Sequence, residues 1–325
     1  MDLKTPKIWL VTIYIGKTPD YLGLWLRSCA WNPRFNWLLL TEHPPEGMRL
    51  PDNVLWRPTA LSEIKRILEA GSQRSICLSA PYKLCDYRPL FWLLLQHYRL
   101  HFDFWGYCDL DVVFGRLERF ITPGILSAYD KIYAYGHLTL FRNSPLNNIA
   151  FVFNTDGLAW ENVRRQENNA GFDERSGVNH IWRRYGLPCW RDAAAAADID
   201  PQFNALRVTR LFGNREPQLF FVENGAVWQG FFDGLGRWRV VEYAYIHFQK
   251  RSLRVRPASL QADRFYFSAD AIDALPRMPS GKRELRALLG DAAGLTWRER
   301  LKLPRASLRR LKNHFVDAWR EFESG

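Results

Sequence analysis

The sequence predicts an α/β fold with a mixed, mainly parallel sheet, and three observations support this. Residues 1–115 alternate between apolar strand patterns and helical patterns, which is typical of parallel strands joined by helices. Hydrophobic residues make up 47% and aromatic residues 15% of the 325 residues, enough for a large buried core. Asp109 and Asp111 end an aromatic strand pattern, at the sheet edge where such folds bind ligands.

The elements of the first part follow from apolar runs and the residues that interrupt them. A strand is predicted at Ile8–Tyr14, because a continuous apolar run is ended by Gly16 and Pro19. Pro89 predicts that the last helix of this part begins near it or is kinked. The other elements predicted here are a helix at 20–31, strands at 36–41 and 54–57, helices at 61–70 (ended by Gly71) and 82–101, and strands at 102–110, 132–135 and 138–141.

The rest of the chain has a more mixed pattern. We expect helices near 159–168 and 174–186, and a short helix or linker over the alanine run 192–198. Residues 207–249 are β-rich, and Asn224-Gly225 predicts a hairpin turn. The C-terminal part is basic, and its apolar residues recur at helical spacing, which predicts a helical extension. Those apolar residues are Leu308, Leu311, Phe315, Trp319 and Phe322.

Charge and cysteine content limit the function classes. A net charge of +11 favours a polyanionic partner, namely nucleic acid, an anionic membrane surface or a phosphorylated substrate. No helix-turn-helix, RNP-like or zinc-finger pattern is present, so we do not expect nucleic acid. Five cysteines without a C-x-x-C pair favour a reducing cytosol, and no apolar run approaches the ~20 residues of a membrane span. We therefore expect a cytoplasmic protein.

The two aspartates at the strand end are the strongest functional signal. Residues i and i+2 of a strand point to the same face, so the Asp109 and Asp111 carboxylates project together and repel each other. A divalent cation would relieve this repulsion, and oxygen ligands favour Mg²⁺ or Mn²⁺, which could bind a diphosphate. The alternative is two solvated acids at a strand end or at a helix N-cap.

The segments "KLCDYRPLFWLLLQHYRLHFDFWGYCDLDVVFG", "GHLTLFRN" and "YIHFQKR" carry a resemblance. Over roughly residues 8–252 the chain resembles a family of bacterial proteins associated with lipopolysaccharide and capsule biosynthesis and thought to be GT-A-type glycosyltransferases. The resemblance implies a GT-A-like, Rossmann-type nucleotide-sugar-binding fold over residues 1–255. Residues 1–115 would be its nucleotide-binding half and 116–255 its acceptor half, followed by the basic, mainly helical extension 256–325.

The resemblance also implies roles for individual residues. Asp111 would be a direct metal ligand, Asp109 a contact to the metal or to ribose, and His247 a further ligand, although a lone histidine on an apolar strand is often a core residue. The implied nucleotide-sugar contacts are Thr12, Tyr14, Lys83, Asp86, Asp109, Gly136, His137, Arg142, Lys250 and Arg251. Core packing for Tyr14, a helix N-cap for Asp86 and a surface position for Arg142 are the alternatives.

An inverting transfer needs a carboxylate as general base. Asp173 or Glu174, in the turn "AGFDERSG", matches that role; the alternative is a favourable interaction with the helix dipole. The expected function is the metal-dependent transfer of a sugar from a nucleotide-sugar donor, expected to be a UDP-sugar, to an oligosaccharide or lipid-linked acceptor of a bacterial surface glycan. The C-terminal extension would contact the inner face of the inner membrane or pack on the catalytic domain. The competing reading is a non-catalytic relative that binds glycans or polyanions.

Overall fold

The computed structural model describes residues 5–174, 176–210, 212–249, 251 and 253–303. Lys250 and the apolar positions of the predicted C-terminal helix, Leu308 to Phe322, lie outside the described residues. The strands are β1 Ile8–Tyr14, β2 Phe35–Thr41, β3 Val54–Pro58, β4 Phe104–Cys108, β5 Val112–Phe114, β6 Lys131–Ile132, β7 Leu138–Arg142, β8 Cys189–Trp190, β9 Ala196–Asp198, β10 Leu219–Glu223, β11 Ala226–Phe232, β12 Trp238–Tyr243, β13 Tyr245–His247, β14 Arg254–Val255, β15 Arg264–Phe267 and β16 Ala271–Ala274.

Most helices lie between strands, as an α/β fold requires. They are α1 Leu22–Ala30, α2 Leu61–Ser72, α3 Leu84–Tyr87, α4 Trp92–His97, α5 Pro123–Ala128, α6 Pro145–Ile149, α7 Trp160–Val163, α8 Val178–Arg184, α9 Pro257–Gln261 and α10 Lys282–Leu289. The predicted α/β class is therefore confirmed. No helix among the described residues has both the length and the apolar character that crossing a bilayer requires.

The chain divides into two compact units built from interleaved segments. The first unit contains the described parts of 5–18, 32–110 and 121–192, and the second those of 19–31, 111–120 and 193–303. The sequence predicts consecutive halves instead. It does not reveal the interleaving, because α1 and β5 belong with strands that follow them by many residues.

The first unit is organised around a mixed sheet. Among its described residues, seven strands pair in the order β3-β2-β1-β4-β7-β6-β8. Strands β3, β2, β1 and β4 run parallel, and β7 is antiparallel to both of its neighbours. Leu10, Val11, Leu38 and Leu39 are fully buried, as expected for strands covered on both faces. The prediction of a mixed, mainly parallel sheet is confirmed for this unit.

The helix predicted at 82–101 is broken into short pieces. A 3₁₀ turn at Pro81–Lys83 leads into α3, a second 3₁₀ turn at Arg88–Leu90 contains Pro89, and α4 follows. Pro89 interrupts the helix because proline has no N–H to donate and its ring clashes with the preceding turn. At the end of α2 the left-handed residue is Gln73 (φ 53°), so the prediction that Gly71 ends that helix is wrong.

The second unit contains two further sheets. Over the part of this unit that is described, the larger has the strand order β12-β11-β10-β15-β16-β14, and the smaller has the order β5-β13-β9. The predicted hairpin at Asn224-Gly225 is confirmed: the two residues have φ angles of 50° and 72° and connect β10 to β11.

One prediction for the second unit is wrong. The alanine run does not form a helix: Ala196 and Ala197 are buried in β9, which pairs in parallel with β13. Tertiary pairing therefore overrides the helix propensity of alanine. Residues 256–303 contain the helices α9 and α10, and also the strands β15 and β16, which join the larger sheet through the pairing of β15 with β10.

Candidate functional site

The small sheet of the second unit aligns three polar residues. In its register His247 of β13 is paired with Val112 of β5 on one side and with Asp198 of β9 on the other. The Phe248 amide donates to the main-chain oxygen of Asp111 at 3.1 Å, which holds the start of β5 against the end of β13. Backbone pairing therefore brings Asp111, His247 and Asp198 to one end of this sheet.

The His247 ring lies between two carboxylates. Its Nδ1 is 2.8 Å from Asp198 Oδ1, and its Nε2 is 3.4 Å from Asp111 Oδ1. The His247 side chain is 8% exposed, whereas those of the two aspartates are about a quarter exposed. Burial opposes a charge on the ring, but the bonds to Asp111 and Asp198 outweigh it and raise the pKa of His247 to about 10. The two carboxylates thus strongly favour positive charge between them.

Asp198 is itself held in place by neighbouring side chains. The Gln249 amide donates from Nε2 to Asp198 Oδ1 at 2.9 Å, and the Thr209 hydroxyl donates to Oδ2 at 2.8 Å. The Thr209 amide also donates to the Asp198 main-chain oxygen at 2.7 Å. Sequence reasoning missed Asp198, because it follows an alanine run and lies 49 residues from its histidine partner. No local signal identifies Asp198, because the run that it ends was expected to be a helix or a linker.

Asp111 and His247 fit a divalent cation. Two ligand atoms that each lie about 2.1 Å from one ion at right angles are about 3 Å apart, close to the 3.4 Å seen between Nε2 and Oδ1. Nδ1 bonded to a carboxylate, with Nε2 turned to a second acid, is the arrangement commonly found for histidines that bind metals. The structure therefore brings two of the three predicted metal ligands, Asp111 and His247, close together.

In the first unit, Asp109 meets a cationic side chain. The Arg88 guanidinium donates from Nη2 to Asp109 and from Nη1 to Asp173 Oδ2, the latter at 2.6 Å. It also donates to the Gly136 main-chain oxygen and stacks over the Tyr107 ring at 5.2 Å. Burial disfavours the Arg88 charge, but Asp109 and Asp173 outweigh this and raise its pKa. Sequence reasoning did not predict Arg88, because its acidic partners lie 21 and 85 residues away.

The two candidate bases have different surroundings. Asp173 has a side chain only 2% exposed, and burial raises its pKa although Arg88 acts in the opposite direction. Glu174 is exposed, and its Oε1 would lie 2.5 Å from a Cβ added at Gly136. The Glu174 carboxylate can keep this position because Gly136 has no Cβ, and the predicted contact of Gly136 with the nucleotide-sugar stays a prediction.

Lys83 and Asp86 form a buried ion pair. Lys83 Nζ donates to Asp86 Oδ2 at 2.8 Å, and the two side chains are 1% and 0% exposed. Lys83 also donates to the carbonyls of Val163 and Asn168, and the Asp86 carboxylate accepts the amides of Ala170 and Phe172. The pair thus holds the loop that precedes Asp173, and this geometry favours a structural role over the predicted nucleotide contact.

Three other residues predicted to contact the nucleotide-sugar lie in the first unit, namely Thr12, Tyr14 and His137. Thr12 is fully buried with its hydroxyl 2.9 Å from Cys108 Sγ, and Tyr14 is half-buried at the end of β1. His137 is buried and stacks on the Tyr135 ring with centroids 4.9 Å apart. Their roles in nucleotide binding stay predictions.

Arg142 and Arg251 donate mainly to main-chain carbonyls. Arg142 bonds to Asp130 Oδ1 at 2.7 Å and to the carbonyl oxygens of Leu126 and Tyr129 near the end of α5. Arg251 donates to the carbonyl oxygens of Asp200 and Ala269 at 3.1 and 3.2 Å. These bonds give both arginines a structural role, and the predicted phosphate contacts remain untested.

The fold and these two clusters define an α/β protein with a candidate cation site at Asp111 and His247. The chain belongs to a protein family described as "Family of unknown function (DUF6625)", whose model matches residues 10–276. No curated protein matches the sequence.

Proposed function

We propose that this protein is a metal-dependent glycosyltransferase of the GT-A type that uses a nucleotide-sugar donor. The observation that carries the proposal is the pairing of Asp111 with His247 Nε2 at 3.4 Å, immediately after an aromatic parallel strand. Asp111 comes shortly after β4 in the sequence, and in α/β sheets the residues that follow the carboxyl ends of the strands bind ligands. The acceptor in this proposal is a bacterial surface glycan.

Asp111 and His247 would hold Mn²⁺ or Mg²⁺, with Asp109 as a predicted contact from the same D-x-D motif. When bound, the cation supplies a Lewis acid that stabilises the negative charge of the leaving diphosphate. The net charge of +11 agrees with a phosphorylated donor, because it favours the approach of anions.

Glu174 is the better candidate for the general base. Its carboxylate is exposed and can meet an acceptor hydroxyl, whereas the Asp173 carboxylate is buried against Arg88. A base must come within about 3 Å of the proton it removes, and exposure is a condition for that contact. In this proposal Asp173 positions the loop and Glu174 removes the proton, which corresponds to inversion at the anomeric carbon.

Calorimetric titration with UDP, GDP and CMP, each with and without Mn²⁺, tests the proposal. We expect one nucleotide to bind only with Mn²⁺, and Asp111→Asn to abolish that binding while the protein stays folded. Glu174→Gln should keep nucleotide binding and lose sugar transfer. Absence of binding to all three nucleotides would favour a non-catalytic relative that binds glycans or polyanions.

A further inference from the structure

In the described part of the second unit, the His247 ring has a carboxylate on each side. Asp111 lies on one side and Asp198 on the other. Its Oδ1 lies 2.8 Å from His247 Nδ1, whereas Asp111 Oδ1 lies 3.4 Å from Nε2 on the opposite edge of the ring. The two ring nitrogens therefore have different partners. If a cation displaced the Nε2 proton, a carboxylate that keeps the Nδ1 proton would leave the lone pair of the ring on Nε2, toward Asp111.

We propose that Asp198 is a positioning residue that holds His247 as a nitrogen ligand of the cation. The inference rests on the proposed function, since it concerns the same cation site. Asp198 acts through the imidazole ring and is assigned no contact with the reacting atoms.

The contacts of Asp198 support a positioning role. Gln249 and Thr209 donate to its two carboxylate oxygens, and the parallel pairing of β9 with β13 sets its main chain opposite that of His247. Hydrogen bonds within the second unit therefore fix the orientation of both carboxylate oxygens of Asp198. Partners of this kind orient ligating histidines, and their loss typically lowers metal affinity by about 10- to 100-fold.

The nitrogen ligand should make the binding of Mn²⁺ and of Mg²⁺ depend differently on Asp198. Mg²⁺ demands near-ideal octahedral oxygen coordination and gives up its water reluctantly, whereas Mn²⁺, although it also favours oxygen ligands, is a transition-metal ion that accepts an imidazole nitrogen more readily than Mg²⁺ does. Loss of the ring orientation should therefore weaken Mn²⁺ binding more than Mg²⁺ binding. A residue that only stabilises the fold would weaken the binding of both ions equally.

The test is calorimetric titration of the full chain with MnCl₂ and with MgCl₂, without nucleotide. For Asp198→Asn we expect Mn²⁺ affinity to fall about 10- to 100-fold with a smaller loss for Mg²⁺. In a His247→Ala background the same substitution should have no further effect on Mn²⁺ affinity, because Asp198 acts through the ring. Asp200→Asn is the matched control, a buried aspartate two residues away whose Oδ1 accepts the Gln202 amide at 3.0 Å.

Each outcome bears on the inference. Unchanged Mn²⁺ affinity in Asp198→Asn, an equal loss for both ions, or a further loss in the His247→Ala background would overturn it. A thermal melt of each variant identifies unfolding. Thr209→Val removes only one hydrogen bond to the Asp198 carboxylate, so it should lower Mn²⁺ affinity in the same way but by a smaller factor. If Asp111→Asn loses Mn²⁺ and Asp198→Asn does not, the inference fails and the proposed function stands. If the metal pattern appears but no sugar is transferred, the function fails and the inference stands.

Discussion

Removing the Asp86 carboxylate should destabilise the first unit strongly. The side chain is fully buried, pairs with Lys83 and accepts the amides of Ala170 and Phe172. Asp86→Ala would leave the Lys83 ammonium uncompensated in the interior and two amide groups without this acceptor. Breaking a buried ion pair from one side costs about 3–5 kcal/mol, and unsatisfied buried donors contribute to that range.

Urea denaturation measures the effect as a change in the free energy of unfolding. We expect Asp86→Ala to lower it by about 3–5 kcal/mol, and the double variant Lys83→Met/Asp86→Leu to lose less than the two single changes added together. The exposed pair Arg165–Glu161, 3.3 Å apart, is the control, and Arg165→Gln should change stability by about 0.5 kcal/mol or less. A loss below about 1 kcal/mol for Asp86→Ala would refute the reasoning, because it would mean that the pair is solvated or replaceable.

Three further predictions concern the two clusters and the core. Asp109→Asn should lower stability by weakening the bond to Arg88 but reduce Mn²⁺ affinity less than Asp111→Asn does; calorimetry on both variants checks this, and equal losses would make Asp109 a direct ligand. Gly136→Ala would place a Cβ 2.5 Å from Glu174 Oε1 and 3.1 Å from Arg88 Nη1, so we expect the Glu174 carboxylate to shift and turnover to fall with nucleotide binding retained. Adding Gly136→Ala to Glu174→Gln should lower turnover no further, and a further loss would assign the effect to Arg88 instead of the proposed base. Burial raises the pKa of Cys108 to about 12, so its thiol should resist iodoacetamide from pH 7 to 10 in the folded protein and react with it in urea. Mass spectrometry measures the labelling, and rapid labelling of Cys108 in the folded chain would contradict its burial.

The local parts of the fold were predictable because their signals are local. The run Ile8–Tyr14 forms a strand with those bounds, and Asn224-Gly225 forms a hairpin because both residues tolerate positive φ angles. The alanine run was not predictable in the same way. Its strand exists because β13 pairs with it, and nothing within 192–198 encodes that partner.

The candidate site also combines residues with a local sequence signal and residues whose partners are distant in the sequence. The D-x-D spacing and the histidine of "YIHFQKR" indicate a cation site from the sequence, and the structure brings Asp111 and His247 together. Arg88 and Asp198 were not predicted, since each acts through a partner that is distant in sequence. A residue that orients or neutralises another side chain carries no motif of its own, so only the folded chain reveals it.

The different partners of the two aspartates also change the physical argument for a metal. Repulsion between neighbouring carboxylates was the reason to expect a cation, but Arg88 already supplies positive charge to Asp109. Asp111 instead faces His247, whose pKa is raised to about 10, so the ring is positively charged at neutral pH and a metal would have to displace its Nε2 proton. A guanidinium stays charged and has no lone pair to donate to a metal, whereas an imidazole can give up a proton and then donate a lone pair. This difference makes Asp111 and His247, rather than Asp109, the centre of the candidate metal site.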